Sequence, residues 1–275
     1  MTVRPFAPAV RARTGHGRVT RARVLHSEWV KLRTLRSTAV TLAAAVAALV
    51  GLGLLFTGVT ADRWPTLGEE ERAVVDPTAL SLVGFFLAQL AVGVLGVLVV
   101  TGEYATGMIR ATFSAVPDRL PVLWAKAAVY AAVTWLLMTA GALVAFLSGQ
   151  ALMESTGVAT SLGDPGVTRA VLGTGLYLTA VALLSVGVGA VVRNTAGGTA
   201  TVLGLLLVVP EVVRALPSTW ADTIGPYLPS NAGHALCVLR PDEHTLAPWT
   251  GFAVCCLYAV AALAGAAVLL KRRDA

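Results

Sequence analysis

The sequence predicts an all-α polytopic membrane protein: six transmembrane helices behind an N-terminal amphipathic interfacial helix, with both termini cytoplasmic. Three observations carry this. Charge is too sparse for a water-facing surface, six long stretches lack charge altogether, and the basic residues gather on one side of them. Of 275 residues, 56% are hydrophobic and 13% charged, and the mean hydropathy is +0.75. A soluble domain carries about 25% charged residues. The same apolar bias excludes disorder over most of the chain.

Stretches free of Asp, Glu, Lys and Arg mark the spans at about 37–61, 77–102, 127–153, 170–192, 194–210 and 245–270. A spanning helix needs about 20 apolar residues, which five of the six exceed. The stretch 170–210 is broken only by Arg193. As one helix it would be roughly 60 Å long, about twice a bilayer core. Arg193-Asn194-Thr195 with Gly197-Gly198 supplies turn formers near its middle, so the segment reads as a tight helical hairpin. The first span runs 25 residues behind a basic leader. That is too long for a signal-peptide core, and it is expected to stay in the mature protein.

Six spans place both ends on one side, and the charges test this independently. With the N-terminus inside, inside segments hold 16 basic and 4 acidic residues, against 5 and 11 outside. That is the distribution of the positive-inside rule. Five spans would put Lys271-Arg272-Arg273 outside. The same placement turns the net charge of +6 away from nucleic acid and toward topology and acidic lipid headgroups of the bilayer. On this reading residues 1–21 are a mobile basic cytoplasmic tail, 22–36 the interfacial helix, 37–270 the transmembrane domain and 271–275 a cytoplasmic tail.

Two elements outside the spans stand out. The leader helix sets Ala22, Leu25, Trp29 and Leu32 opposite Arg23, Ser27, Lys31 and Thr34, a pattern that lies in the membrane interface. The inside loop 103–126 carries Ile109, Phe113 and Val116 at helical spacing before Pro117-Asp118. From the residues alone, each is either a membrane anchor or a working part. The outside segment 211–244 holds four prolines, Trp220, Tyr227 and apolar Ile224, Leu228, Leu236 and Val238. It is expected to pack as short helices or a partly re-entrant structure.

The chemistry read from the residues is mostly exclusion. No spanning segment is expected to contain an ionisable Asp, Glu, Lys or Arg, and His16, His26, His234 and His244 all fall outside the spans. Ion-coupled carriers commonly keep such groups in the membrane. The three lysines, Lys31, Lys126 and Lys271, follow Val30, Ala125 and Leu270, so no phosphate-binding loop exists. Neither H-E-x-x-H nor G-x-S-x-G occurs. His234 and His244 with Asp242 and Glu243 match no strong metal spacing and read as loop residues. Cys237, Cys255 and Cys256 form no disulfide framework and read as packing residues. Gly84/Ala88, Ser185/Gly189 and Ala261/Gly265 are small pairs at four-residue spacing, which let helices approach closely in lipid.

The leader Glu28-Trp29-Val30-Lys31-Leu32-Arg33-Thr34-Leu35-Arg36-Ser37 resembles the start of many bacterial ATP-binding cassette (ABC) transporter permeases of the type-2 export class. Thr101-Gly102-Glu103-Tyr104-Ala105-Thr106-Gly107, followed by Val116-Pro117-Asp118-Arg119 and Ala125-Lys126, resembles that family's first cytoplasmic loop. Tyr227-Leu228-Pro229-Ser230-Asn231-Ala232-Gly233 resembles its last outside loop. The likeness runs in order from residue 22 across nearly the whole chain. Its Gly- and Ala-rich, Arg-over-Lys composition is actinobacterial-like. Two positions depart: family members often carry a basic residue where Ala105 stands and a threonine where Met108 stands.

The resemblance implies a permease subunit in a bacterial plasma membrane, exporting a solute. It implies a second permease subunit, identical or a sister chain, and separate cytoplasmic ATPase subunits that hold the ATP and Mg. This chain would then be no enzyme and need no cofactor. It further implies that leader helix and first loop receive the ATPase, through Glu28, Trp29, Lys31 and Arg33 in the helix and Glu103, Tyr104, Thr106, Gly107, Arg110 and Phe113 in the loop. For Glu103 two readings stand: it pairs with a base of the leader helix, or it is a solvated charge at a helix exit. An ion-coupled carrier and a non-transporting membrane accessory protein remain the competing functions.

Overall fold

The computed structural model describes residues 20–108, 119–240, 242 and 244–272. Residues 1–19 of the expected 1–21 tail, the stripe Ile109, Phe113 and Val116, and Pro117-Asp118 lie outside the described residues, and Arg21 belongs to the first helix. Among those described there is no strand, and six helices are long and apolar enough to cross a membrane.

The interfacial helix α1 (Arg21–Thr34) stops at Leu35, whose backbone is extended, and α2 (Arg36–Arg63) then starts span 1. A short α3 (Glu69–Val74) precedes α4 (Pro77–Leu82) and α5 (Phe85–Ala105), which together make span 2. Asp76 accepts hydrogen bonds from the amides of Thr78 and Ala79 and Pro77 occupies the first turn, a start built from side-chain capping and a proline that needs no donor partner. Span 3 is α6 (Arg119–Met153), and span 4 is α7 (Val167–Val192). The expected hairpin follows at Arg193–Asn194: Arg193 takes a left-handed φ of 54°, and the Asn194 side chain accepts from Gly197 N at 2.9 Å to start α8 (Thr195–Leu203).

Span 5 does not end at Pro210. It passes through a π-helical turn at Gly204–Val208 into α9 (Val209–Arg214). Proline has no amide to donate and its ring crowds the carbonyl four residues back, so the wider turn just before Pro210 lets the helix continue past it. Two short helices, α10 (Ser218–Ile224) and α11 (Pro229–His234), lead to α12 (Pro248–Arg272), which is span 6.

Small residues set how closely the spans pack. Ser185 meets Gly96, and Gly189 meets Val97, so α7 and α5 touch almost backbone to backbone. A Cβ on Gly187 would stand 2.7 Å from the carbonyl carbon of Ala262 in α12. At the kink between α4 and α5, a Cβ on Gly84 would stand 2.3 Å from the carbonyl oxygen of Leu49. The Ala261/Gly265 pair behaves differently: Ala261 is exposed, and the nearest atom to a Cβ on Gly265 is a Val191 methyl at 3.8 Å.

Polar groups inside the bundle are tied across spans. Tyr130 of α6 donates to the carbonyl of Val92 at 2.7 Å, and Tyr177 of α7 donates to Gln89 of α5. At the outer end, Gln150 donates to the carbonyl of Pro77 at 3.0 Å and to Ser81 at 2.9 Å. These bonds suit a medium that offers no water to an orphaned polar atom. Beyond span 5 the chain tucks back: Ala232, Ala235, Leu236 and Cys237 are buried, with Gly233 against the Tyr177 ring. Arg169 pins that return by donating to the carbonyls of Leu236 and Val238, each at 3.0 Å. Burial holds the Cys237 thiol up, at about 12, and pushes the His234 imidazole below its usual 6.5.

The Gly84 contact is backbone on backbone, so neither partner can swing aside. Gly84→Ala should lower the thermal midpoint of the detergent-solubilised protein, with overpacking costing about 1–3 kcal/mol. Gly51→Ala, where a Cβ meets nothing within 4 Å, should leave it unchanged or raise it slightly through helix propensity. Equal midpoints for the two variants would contradict this packing.

Candidate functional site

Because successive spans alternate in direction, α1, the end of α5, the start of α6, the α7–α8 hairpin and the end of α12 share one end of the bundle. It is the end where the basic residues gather. There Glu28 and Lys31 of α1 meet Glu103 of α5 and Lys126 of α6. Lys126 Nζ donates to Glu28 Oε2 at 2.6 Å and to Glu103 Oε1 at 2.8 Å. Lys31 Nζ donates to Glu28 Oε1 at 2.6 Å and to Glu103 Oε1 at 2.9 Å. Two carboxylates and two ammoniums thus close on one another across three helices.

Burial makes this cluster consequential. Glu28, Glu103 and Lys126 are 4%, 5% and 6% exposed, while the Lys31 side chain is 23% exposed. Moving an ion out of water costs several kcal/mol even after relaxation, so buried charges persist only when closely paired. Among the described residues each ammonium touches two carboxylates, and the formal charges of these four groups sum to zero. Burial lowers the Lys31 pKa, but hydrogen bonds and charge from Glu28 and Glu103 outweigh it and hold the ammonium above the ordinary 10.5. Glu103 Oε2 is buried with no hydrogen-bond partner among the described residues.

Sequence placement and structural placement differ in two ways. Charge-free stretches ended span 2 at 102 and began span 3 at 127, but helix α5 runs to Ala105 and α6 starts at Arg119. Glu103 and Lys126 therefore lie inside spanning helices, which corrects the expectation that no span holds an ionisable group. A charge that has a partner need not mark where the membrane helix stops. The face that α1 buries against the bundle is not its apolar stripe. Val24, Glu28 and Leu32 are buried, whereas Leu25 and Trp29 are exposed. Apolar area alone favours the Trp29 face; ion pairing turns Glu28 inward, helped by Val24 packing on Val122 and Ala125.

The remaining candidates surround this cluster. Tyr104 is half-buried, and the Arg193 guanidinium lies 5.4 Å from its ring centre, a cation–π contact that helps hold the left-handed hairpin residue. Thr106 donates its hydroxyl to the Gly102 carbonyl at 2.9 Å, closing the end of α5. Gly107 follows with φ +72° and open space around it, a turn glycine rather than a packing one. Trp29 and Arg33 line a groove between α1 and α2 beside Leu42 and Val46. Arg110 and Phe113 lie outside the described residues. Sequence reasoning did not single out Lys126 or Arg193 as site residues. A signal existed: Glu28 is the one acid in a leader with nine bases, and such an acid asks for a buried partner.

A cavity of about 370 Å³ lies beside the cluster, lined by Lys31, Thr38, Thr41, Leu98, Glu103 and Lys126. The junction of α1 with the spans is thus pinned by charge but not packed solid. Among the described residues no group of three or more His, Cys, Asp or Glu comes together. His244 lies 3.9 Å from Asp222, both well exposed. No protein family matches the chain, and neither does any curated protein.

Charge parity governs the cluster's response to substitution. Lys126→Met leaves it one negative charge in excess and Glu103→Gln one positive. Each should destabilise the docked α1 by about 3–5 kcal/mol, as expected when one partner of a buried pair is removed. The double variant keeps the Glu28–Lys31 pair and should cost less than the sum of the singles by about 0.5–3 kcal/mol. Hydrogen–deuterium exchange over residues 21–34 reads this directly, and strict additivity would contradict the geometry. Lys31 sets a pH limit by the same logic. Its contribution is complete below the ordinary 10.5 and is lost as pH rises through its higher folded value. Exchange protection of α1 should therefore hold through neutral pH and fall only in strong alkali.

Proposed function

We propose that this multi-pass membrane protein is the permease subunit of an ATP-driven ABC transporter, export type, in a bacterial plasma membrane. It forms the translocation pathway with a second permease subunit and is moved by a separate ATPase subunit that binds ATP and Mg. The observation that supports this most is the closed charge cluster tying the surface helix α1 to spans 2 and 3. A force applied to α1 from the cytoplasm is carried through Glu28 and Lys31 into the ends of α5 and α6. Rigid helices turn that displacement into a tilt of the spans. Trp29 and Arg33 are exposed on the same lever. Thr106 and Gly107 end the helix that leads into the first cytoplasmic loop, which on the family resemblance receives the ATPase through Arg110 and Phe113.

A second reading, an ion-coupled carrier, has one observation in its favour: Glu103 and Lys126 lie within spanning helices. Both are closed in ion pairs at the very end of the membrane region, where a lever needs them, rather than at mid-depth, where a carrier binds.

Purification of the full chain from its own cell in mild detergent should bring down a nucleotide-hydrolysing subunit in equal amount. Glu103→Ala should leave the chain inserted but lower the complex's ATP turnover, by about tenfold if coupling has its ordinary magnitude. Uphill transport by the isolated chain in vesicles, driven by a proton or sodium gradient without nucleotide, would sink the proposal in favour of the carrier.

A further inference from the structure

The cavity of about 370 Å³ beside the charge cluster runs along the last turns of α5, where Leu95, Leu98, Val99 and Glu103 line it, and α6 adds Lys126 and Val129. Most of its wall is apolar. Glu103 is 5% exposed, and its two oxygens are used unequally. Oε1 accepts from Lys126 at 2.8 Å and from Lys31 at 2.9 Å. Oε2 is buried with no hydrogen-bond partner among the described residues. An ionised oxygen left in that state carries the full cost of losing its water. Thr38 and Thr41, on the α2 side of the cavity, can turn their hydroxyls to carbonyls of their own helix. Glu103 Oε2 has no such recourse, because a carboxylate only accepts and the amides around it are committed to the α5 ladder.

These features select an occupant by its head and by its body. An anion is repelled by Glu103 itself. A cation would enter a group of four charges that already balance among the described residues, and would lie buried without a counter-ion of its own. Water would meet the oxygen but spread over an apolar wall, where it finds too few polar partners. A neutral hydroxyl on an apolar body satisfies both. We infer that this cavity binds a neutral apolar alcohol. Its hydroxyl donates to Glu103 Oε2, and its hydrocarbon lies against Leu95, Leu98, Val99 and Val129. The volume lies within the range of ordinary ligand sites, and hydrogen bonds to an ionised acceptor are among the stronger ones in proteins. Such an occupant stands where α1 is joined to spans 2 and 3. The inference rests on the cavity and its open acceptor, not on the transport reading.

Photolabelling of the full chain in mild detergent with a diazirine analogue of octanol tests it. Adducts should fall on Leu95, Leu98 and Val99 of α5 and on Val129 of α6. Unlabelled octanol should protect these residues at about a tenth of the mole fraction that methyl hexyl ketone needs, because the ketone has the same body but no donor. Octylammonium should protect no better than the ketone. Val99→Phe fills the cavity and leaves the four charges in place, so labelling there should be lost. Equal protection by octanol and the ketone, or by octanol and octylammonium, would overturn the proposal, and that comparison needs no variant to fold. Adducts confined to lipid-facing residues, or undiminished labelling of the cavity in Val99→Phe, would overturn it as well.

Discussion

An ion at the edge of hydrocarbon must find a counter-ion or return to water, and this constraint fixes the cytoplasmic end of the molecule. Glu28, Lys31, Glu103 and Lys126 satisfy it by converging, each ammonium bridging both carboxylates. Their convergence determines the face α1 turns inward and the separation of α5 from α6. Apolar burial does little of this work: Val24 and Leu32 are the only apolar side chains of α1 that are fully buried. The helix is placed by charge and merely sealed by packing.

The same physics explains which features could be read from the amino acids. Spans are legible because a bilayer tolerates few alternatives: a long run without charge has to cross, and an excess of bases on one side sets the direction. The Arg193–Asn194 hairpin was legible for a related reason, since 41 residues are twice too long for one crossing and the turn formers sit at mid-length. The ends of spans were not legible. Glu103 and Lys126 look like the first groups beyond the membrane, and only the three-dimensional pairing makes them part of it. Glu211 misled in the same way, because the helix passes through a π-helical turn before Pro210 and span 5 runs on to Arg214.

The orientation of α1 was hidden by a conflict between two rules. Hydrophobic periodicity favours Leu25 and Trp29 as the inward face, and in a water-soluble protein that rule decides. At a membrane surface those side chains have a second apolar medium, the lipid, and lose little by facing it. Glu28 has no comparable alternative once it is near hydrocarbon, so its requirement prevails. The outer end shows the complementary case. Residues 229–237 carry no charge except a histidine that burial keeps neutral at pH 7, and they fold back against Tyr177 rather than lie in water.

Charge suits a joint better than grease does. A buried ion cluster adds little net stability compared with well-packed apolar side chains, but its geometry is selective: it holds when all four groups are in register and fails when one is displaced. Lys31 is partly open to solvent, Glu103 has an oxygen with no described partner, and a cavity of about 370 Å³ lies alongside. Those are properties of a junction that can pass between discrete arrangements, since an ammonium can exchange carboxylate oxygens over a short path while a packed leucine must clear its neighbours first. On the proposed reading, a motor pushing α1 acts on a rod held by ions at Glu28 and Lys31, and the spans follow because releasing that joint would strand a charge.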